Sequence, residues 1–497
     1  MPTRVEHPSL DERTARGLEA RSRAMPDSHA GWQPSADRPD PVALIEEQNL
    51  RRDPDLVPIR HGRMMASPFT FYRGAAKIMA VDLAETPTAG LQVQLCGDAH
   101  LSNFGAFASP ERNLLFDIND FDETLPGPFE YDVKRLAASL MVAAQNNGCS
   151  DPDARAITKG CVTSYRESMA QFATMKTLDV WYAHLAEDQI QQSVTAFLSG
   201  ADSKRKGSKK GKKKDTGEQD VVSAMTSKEA KQAQKRFLKN AQKTHSRTSD
   251  QALSKLGEEV DGRYRIVSVP PVIIPVRDLH TSYGVEPAEL EQVVFRLFRD
   301  YRSTLRLDLR QLLERYEIID WARKVVGVGS VGTRAFVVLL QGRDQDDPLF
   351  LQVKEATRSV LEGPLRKSAF KQPGERVVQG QRLMQASSDI FLGWSKGVQA
   401  DRYFYWRQLR DMKGSALVEL MAPATLAFYG RTCGWTLARA HARSGDPVSI
   451  SAYLGDDDAF DKSITDFSER YAAQNDQDFA DFAKAIASNR IEAIQDV

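Results

Sequence analysis

Residues 91–105 read LQVQLCGDAHLSNFG, an alternating apolar run that leads directly into a polar turn. The alternation predicts a short β-strand. The turn carries Asp98 and, five residues later, Asn103. A second strand-like run, residues 113–120 (NLLFDIND), ends in another acidic cluster. The two runs are close enough in sequence to pair as a hairpin, which would bring their polar ends together.

An aspartate and an asparagine at this spacing are the residue types that phosphoryl transfer requires. A carboxylate must orient the attacking hydroxyl, and Mg²⁺ must neutralise charge on the transferred group. Hard cations take oxygen ligands from carboxylates and side-chain amides. An aspartate at the end of the neighbouring strand would complete the metal site. The alternative is that Asp98 and Asn103 are turn residues and that Asp117, Asp120 and Asp122 belong to a solvated loop.

The segment GDAHLSNFG at residues 97–105 resembles the GDxHxxN catalytic loop of aminoglycoside phosphotransferases and choline kinases, which are protein-kinase-like enzymes. Those families carry a second motif, in which an aspartate is followed by a glycine seven residues on and by another aspartate twelve residues on. Counted from Asp120, these positions hold Gly127 and Asp132. The resemblance is specific over residues 97–137.

This resemblance implies a role for each matching residue. Asp98 is implied as the catalytic base, and Asn103 and Asp120 as magnesium ligands. Asp132 is implied as a structural carboxylate behind the loop. For His100 we favour a structural hydrogen-bonding role over a catalytic one.

A glycine pattern appears much later, in the sequence GVGSVG at residues 327–332. Gly327, Gly329 and Gly332 have the spacing of loops that close over phosphates without side-chain obstruction. A dinucleotide-binding site would need a helix directly after the third glycine, but a strand pattern follows here. Strand, glycine turn and strand is the kinase order, and a tight β-turn without a ligand is the alternative.

The next strand carries Lys354, similar to the kinase lysine that contacts the α- and β-phosphates of ATP. The alternative is a surface lysine on a strand. Kinases pair this lysine with a glutamate on the following helix, and Glu375 opens the next predicted helix, with Glu355 and Glu362 as competitors. Residues 407–409 would offer backbone hydrogen bonds to the adenine.

The order of these motifs is reversed relative to a conventional kinase, in which the glycine loop and lysine precede the catalytic loop. The predicted helix at residues 429–445 (YGRTCGWTLARAHARSG) resembles the helix that normally comes before that loop. We therefore predict an α+β chain with a two-lobed protein-kinase-like fold that is circularly permuted. A small antiparallel sheet forms its N-lobe and helices form most of its C-lobe. Such permutation is tolerable because domain termini are often close together.

The wider sequence resembles a bacterial family known as domain of unknown function 2252. The resemblance is carried by RMMASPFTFYRGAA, VQLCGDAHLSNFG, FDINDFDETLPGPFEYDVKRLAAS and GQRLMQASSDIFLGW, and it spans about residues 20–480. The family implies a kinase-like fold and no particular substrate. In the first of these segments Arg63, Ser67 and Arg73 could contact phosphate or substrate. The alternative is a helix cap at Ser67 and structural ion pairs for the arginines.

Composition and pattern divide the chain into five parts. These are an irregular N-terminal segment, the first part of the helical lobe with the catalytic loop, a charged insertion, the β-rich lobe and the remaining helices, over residues 1–40, 41–199, 200–250, 251–412 and 413–497.

The composition is ordinary for a globular protein, with 41% hydrophobic and 27% charged residues. The 67 basic residues balance the 67 acidic ones, but residues 204–214 alone hold eight of the basic ones. The remainder is mildly acidic, which argues against a nucleic-acid-binding protein. The Lys-rich run is a solvated insertion or, as the alternative, a weak tether to nucleic acid or an anionic surface.

The sequence also indicates a compartment. No secretory leader and no membrane-spanning run appear in it. The four cysteines form no CxxC pair, which fits reduced thiols in the cytoplasm better than a disulfide framework or a zinc site. We therefore predict a cytoplasmic protein.

These observations favour an ATP- and Mg-dependent phosphotransferase whose acceptor is a hydroxyl group on an unidentified small molecule or protein. A pseudokinase or nucleotide-binding regulatory protein without turnover is the main alternative. A metal-dependent hydrolase using Asp117, Asp120 and Asp122 is a third reading, but it leaves the glycine pattern and Lys354 unexplained.

Overall fold

The computed structural model describes residues 7–189, 192, 249–283, 287–325, 327–398, 401–409 and 412–495. The Lys-rich run at 204–214 lies outside the described residues. The helices are α1 (Leu10–Arg23), α2 (Pro41–Asn49), α3 (Val57–Met64), α4 (Pro68–Gly74), α5 (Ala76–Leu83), α6 (Glu130–Asn146), α7 (Asp151–Thr174), α8 (Thr177–Tyr182), α9 (Ser249–Leu256), α10 (Val276–Tyr283), α11 (Pro287–Arg302), α12 (Leu307–Leu313), α13 (Pro373–Met384), α14 (Pro423–Ser444), α15 (Pro447–Leu454) and α16 (Ala459–Ala487).

The strands are β1 (Gln92–Leu95), β2 (Phe104–Ala108), β3 (Leu114–Ile118), β4 (Leu125–Pro128), β5 (Leu185–Ala186), β6 (Gly257–Val260), β7 (Arg263–Ile266), β8 (Ile273–Pro275), β9 (Glu317–Lys324), β10 (Ala335–Gln341), β11 (Pro348–Glu355), β12 (Gly393–Lys396), β13 (Tyr403–Gln408) and β14 (Gly414–Ser415). The chain is α+β, as predicted, and its sheets are small and antiparallel.

The largest sheet has six antiparallel strands in the order β12-β13-β11-β10-β9-β8. Its central strands are apolar on both faces, because helices cover one side and the β6–β7 hairpin with α9 covers the other. On the helix side Tyr301 stacks on Trp406 with ring centroids 4.5 Å apart. We call this part, from α9 to β13, the sheet region.

The remaining helices form the helical region, whose centre is α6. Residues from Glu130 to Ala144 of this helix are all buried, because α7, α14 and α16 surround it. The same core takes in Val377, Val378 and Met384 of α13. The sheet region and the helical region therefore share one continuous core at α13, and this contact fixes their relative position.

The predicted hairpin between the two motif strands is wrong. β1 pairs with β4, with Leu95 opposite Leu125, and β3 pairs with β2, with Ile118 opposite Phe104. The segment LPGP that forms β4 contains two prolines and has no strand signal in the sequence. Since β1 is only four residues long, its partner was decided by the chain reversal after Asp122 and not by its own pattern.

The expectation that residues 1–40 are irregular is also wrong. α1 begins with a capping box, in which the Ser9 hydroxyl accepts a hydrogen bond from the Glu12 amide and the Glu12 carboxylate accepts one from the Ser9 amide. The helix buries only Gly17 and Ala20, against α15. The apolar stripe that identifies an amphipathic helix is therefore missing from its sequence.

Candidate functional site

The two predicted motifs line one cavity of about 490 Å³ between the sheet region and the helical region. Asp98, Asn103 and Asp120 lie on its helical side, and Gly327 and Gly329 lie on its sheet side. The two sets are more than two hundred residues apart in the chain. The fold thus brings together most of the residues that the sequence singled out.

The loop that carries Asp98 is tied down from behind by Asp132, in the first turn of α6. Its carboxylate accepts hydrogen bonds from the backbone amides of Cys96 at 2.7 Å and Gly97 at 3.0 Å. His441 of α14 approaches the same carboxylate at 3.3 Å. Asp132 is 1% exposed, so it orients the loop and stays out of the cavity.

Asp98 points into the cavity and pairs with Arg135, whose Nη2 lies 2.8 Å from its Oδ1. Arg135 is itself held over the ring of Tyr72, at 3.9 Å from the centroid. Burial raises the pKa of the Asp98 carboxyl to about 6, although the Arg135 guanidinium opposes the shift. The Nδ2 of Asn103 donates to the Asp98 carbonyl oxygen at 2.8 Å, which fixes the amide beside the carboxylate.

His100 lies next to this pair and is 5% exposed. Its Nε2 is 3.7 Å from the Asp98 carboxylate. Burial lowers the pKa of the imidazole well below its ordinary value, and the nearby Arg73 and Arg135 lower it further. His100 is therefore neutral at pH 7.

Lys354, which is 2% exposed, reaches from β11 to the acidic cluster on the other side of the cleft. Its Nζ lies 2.6 Å from the Asp122 carboxylate and 3.6 Å from that of Asp120. Tyr405 donates its hydroxyl proton to Asp122 at 2.7 Å.

Burial and charge oppose one another in this cluster. Burial would lower the pKa of Lys354, but Asp120 and Asp122 raise it above the ordinary lysine value. Burial would raise the pKa of Asp120, but Lys354 and Arg407 hold it well below the ordinary aspartate value. Lys354 and Asp120 are therefore ionised together at neutral pH.

Glu375 lies in the first turn of α13, while the carboxylates that contact Lys354 belong to Asp120 and Asp122. The next residue along the helix, Arg376, donates to the backbone carbonyls of Asp122 and Thr124 at 2.7 and 2.6 Å. The α13 helix thus supports the loop that carries Asp120 and Asp122 through hydrogen bonds from the Arg376 guanidinium to backbone carbonyl oxygens.

Asp117 does not face the cavity. It is 1% exposed and pairs with Arg439 of α14, also 1% exposed, and it accepts a hydrogen bond from the Ala386 amide at 2.8 Å. A charge that is so completely paired and buried serves the core. The third reading, a hydrolase that uses Asp117, Asp120 and Asp122 together, loses one of its three carboxylates.

The glycine turn between β9 and β10 is held by the segment that precedes α4. The Arg63 guanidinium donates to the Gly327 carbonyl oxygen at 2.7 Å, and the Asp53 amide donates to that of Gly332 at 2.8 Å. Arg52 donates to the Val331 carbonyl oxygen. Gly332 has φ of +83°, in the left-handed region that favours glycine.

Arg63, Ser67 and Arg73, the three polar residues that the sequence singled out before and within α4, have different positions in the structure. Ser67 caps α4 in a capping box with Thr70, and Arg63 holds the glycine turn. Arg73 lines the cavity. Its position, like that of Arg52, depends on contacts across the fold that local sequence spacing does not encode.

Arg407 of β13 links the sheet region to the segment just before Asp120. Its Nε donates to Gln352 at 2.9 Å and its Nη1 to the Asn119 carbonyl oxygen at 3.1 Å. The Gln408 amide donates to Asp389, and the Leu409 amide donates to the Phe350 carbonyl oxygen at 2.8 Å. Two backbone amides of residues 407–409, the segment expected to offer hydrogen bonds to an adenine, are thus already engaged within the sheet region.

The donor set fits a hard cation. Asp120 and Asp122 offer carboxylate oxygens and Asn103 an amide oxygen at the same edge of the cavity. Within the described ranges no group of three or more His, Cys, Asp or Glu side chains is arranged to hold a metal ion. A magnesium ion here would therefore take part of its coordination from Asn103, water and a bound phosphate, as Mg²⁺ commonly does.

Comparison with known proteins gives one match. The sequence model of DUF2252, described as an uncharacterized protein conserved in bacteria, matches residues 52–212 and 203–485. No curated protein and no solved structure matches the chain. Among the described helices, none is both long and apolar enough to span a lipid bilayer.

Proposed function

The chain belongs to the DUF2252 family, and we propose that it is an ATP- and Mg-dependent phosphotransferase that transfers a phosphoryl group to a hydroxyl acceptor. The proposal rests on one observation above all. Asp98, Asn103, Asp120, Lys354 and the glycine turn meet at one cleft although the chain separates them into two distant segments. If these residues stabilised only their own local turns, nothing would require them to lie at the same cleft.

We further propose that the fold is a circularly permuted, two-lobed protein-kinase-like fold. The sheet region supports this through its element order: β9, the glycine turn, β10, β11 with Lys354, α13, β12 and β13. This is the order implied by the resemblance to kinases. The helical region supports it because α14, from the end of the chain, packs beside the β1 strand that leads to Asp98.

In the proposed reaction Asp98 orients the acceptor hydroxyl and takes its proton. Arg135 and the Asn103 amide hold Asp98 in place for this step. Lys354 turns from Asp122 to the α- and β-phosphates, and the glycine turn covers them. Mg²⁺, held by Asn103 and Asp120, would supply the positive charge that the phosphoryl group needs.

A second function, nucleotide binding without turnover, is favoured by one specific observation. Lys354 contacts Asp120 and Asp122, two carboxylates of the proposed metal site, while Glu375 lies in the first turn of α13. Turnover therefore requires Lys354 to exchange partners when the nucleotide binds. A protein that cannot make this exchange would bind a nucleotide and not turn it over.

Two measurements test the proposal and separate the two functions. We expect Mg-ATP to raise the melting temperature of the wild-type protein and of the control Lys462→Ala, whose lysine is on the exposed surface of α16. Lys354→Ala should lose this shift. Slow ATP turnover that disappears in Asp98→Ala selects the enzyme, and binding with no turnover selects the regulatory protein. No thermal shift in the wild-type protein would sink both functions.

A further inference from the structure

One side of the cavity is basic and is supplied by the helices that precede the catalytic loop. Arg52 lies just before α3, Arg73 in the last turn of α4 and Lys77 in α5, and all three line the cavity. We call these three residues the basic wall. The catalytic carboxylates, Asp98 and Asp120, line the same cavity.

The arginines of the basic wall are incompletely paired. Arg73 approaches the Glu419 carboxylate only to 3.5 Å, and Arg52 donates to a neutral acceptor, the Val331 carbonyl oxygen. Within the described part of the chain the Nε atoms of both arginines are buried without a hydrogen-bond partner. Such donors are rare in native structures, and an anion in the adjoining cavity would offset the cost of keeping these two guanidinium groups charged.

Both arginines remain charged. Burial lowers the pKa of Arg52 to about 10 and lowers the pKa of Arg73 as well, yet at pH 7 each guanidinium still carries its proton. Lys77 pairs with Glu47 at the mouth of the cavity. Both arginines are half-buried, and a positive charge with so little hydrogen bonding in such a position is costly unless an anion compensates for it.

The charges also place Arg73 and Arg52 on different parts of the site. Arg73 interacts electrostatically with Asp98 and His100. Arg52 interacts with Asp122, Glu123 and Glu355 on the side of Lys354. Arg73 is therefore the member of the wall that neighbours the proposed base, where an acceptor must present its hydroxyl.

We propose that the acceptor carries an anionic group, a carboxylate or a phosphate, in addition to its hydroxyl, and that Arg73 binds this group. The proposal rests on the proposed phosphoryl transfer. In that step the acceptor oxygen forms a bond to the γ-phosphorus of ATP, and the bond from this phosphorus to the bridging oxygen breaks. ADP leaves with the bonding electron pair, and the hydroxyl proton passes to Asp98.

Guanidinium groups suit such a ligand because their planar fork matches carboxylate and phosphate oxygens in pairs. A neutral acceptor would leave the Arg73 guanidinium as incompletely satisfied as it is without a ligand. The size of the cavity, about 490 Å³, falls within the range for small-molecule sites. An acidic hydroxyl compound is thus the class that the basic wall selects.

Three probes of one carbon skeleton test this: glycerol 3-phosphate, glycerate and glycerol. Each is titrated calorimetrically into the full-length protein saturated with Mg²⁺ and a non-hydrolysable ATP analogue, so that the nucleotide site is closed to the probe. We expect the two anionic probes to bind in the millimolar range and glycerol not to bind. Arg73→Met should weaken the anionic probes at least tenfold and leave the affinity for the nucleotide analogue unchanged.

Two further variants keep the result interpretable. Arg73→Lys, which retains the charge and the fold but loses the fork, should lie between the wild type and Arg73→Met. Arg431→Met, which removes an arginine paired with Glu167 on the outside of α14, should bind the probes as the wild type does. The proposal is overturned if glycerol binds as well as the anions, if no anion binds, or if Arg73→Met affects only the nucleotide.

Failure of the proposed function gives a different pattern. If the nucleotide analogue itself does not bind, the phosphotransferase proposal fails. The same probes are then titrated into the protein alone. Binding that depends on Arg73 supports the anion site, and binding that ignores Arg73 overturns it.

Discussion

At the scale of single residues, Asp117 and Asp120 lie three positions apart and have opposite surroundings. Asp117 is enclosed by the core and paired with Arg439, whereas Asp120 is 28% exposed in the cavity beside Lys354. The spacing to Gly127 and Asp132 predicted Asp120 as the functional residue of the two. No local pattern predicted the partner of Asp117, because Arg439 is more than three hundred residues away.

A substitution tests this difference. Asp117→Asn leaves the Arg439 charge buried without a counter-charge, so we expect the free energy of unfolding to fall by about 3 to 5 kcal/mol. Asp120→Asn is the matched control, since its partner Lys354 keeps Asp122 and the loss should be about 1 kcal/mol. Urea denaturation of the three proteins measures both values. A stable Asp117→Asn protein that has lost only a metal-dependent activity would favour the hydrolase reading instead.

Short spacings in the sequence singled out the candidate site residues, whereas contacts between distant segments were not predictable from it. Asp98, Asn103 and Asp132 lie within one motif, and Lys354 lies on a recognisable strand. The contact of Lys354 with Asp122 and the hydrogen bond from Arg407 to the Asn119 carbonyl oxygen depend on how two distant regions pack together. Sequence spacing carries no information about such packing.

At the scale of elements, long helical segments were predictable and short or weakly patterned ones were not. Residues 130–146 and 151–174 form helices of 17 and 24 residues, the first buried along nearly its whole length and the second on one face. The pairing of β1 was not predictable, because its partner reads LPGP. α1 was missed because its cap, and not its apolar content, marks where it begins.

The glycine turn offers a test at this scale. Gly327 and Gly332 both have positive φ, of +67° and +83°, and alanine costs about 1 to 2 kcal/mol in such a conformation. A Cβ at position 327 would meet open space, whereas at position 332 it would lie 3.0 Å from the Cβ of Arg52. We therefore expect Gly332→Ala to be the more destabilising by about 1 kcal/mol.

Thermal denaturation of the two variants, with and without Mg-ATP, measures this difference. Gly332→Ala should also weaken nucleotide binding more than Gly327→Ala, since it disturbs the hydrogen bond from the Asp53 amide. Equal stability of the two variants would show that the segment before α3 does not brace the turn.

At the scale of the whole molecule, buried neutral histidines make stability depend on pH. His29 is 1% exposed, and its Nε2 lies 2.7 Å from the Tyr453 hydroxyl. Burial lowers its pKa to about 2. Burial likewise lowers the pKa of His61 and of His100. Below pH 6.5, the ordinary histidine value, the unfolded chain binds protons that the folded chain does not.

The contribution of these histidines to stability should therefore be fully present above pH 6.5 and be lost as the pH falls below it, by up to about 1.4 kcal/mol per pH unit for each histidine. His29→Gln should reduce this slope. His184→Gln is the control, because His184 is exposed and its Nδ1 contacts the carbonyl oxygen of Tyr182, two residues away. Urea denaturation at pH 7.5, 6.5 and 5.5 measures the slope. An unchanged slope in His29→Gln would show that His29 is protonated in the folded protein.

The overall architecture was predictable in class and not in detail. The α+β composition and the small antiparallel sheet followed from periodicity. The shared core at α13 did not, because it depends on α13 packing against β1, early in the chain, and α14, near its end. Such packing is decided by shape, on which a single sequence is silent.

The long reach of these pairings has a consequence for synthesis. When residues 97–132 leave the ribosome, Arg439 and His441, which pair with Asp117 and Asp132, have not yet been translated. The nascent helical region therefore holds unpaired carboxylates and an open apolar surface until the last helices emerge. Chains of this topology fold slowly and expose hydrophobic surface meanwhile. The growing polypeptide is thus a natural client for chaperones, and the cleft is assembled only once translation is almost complete.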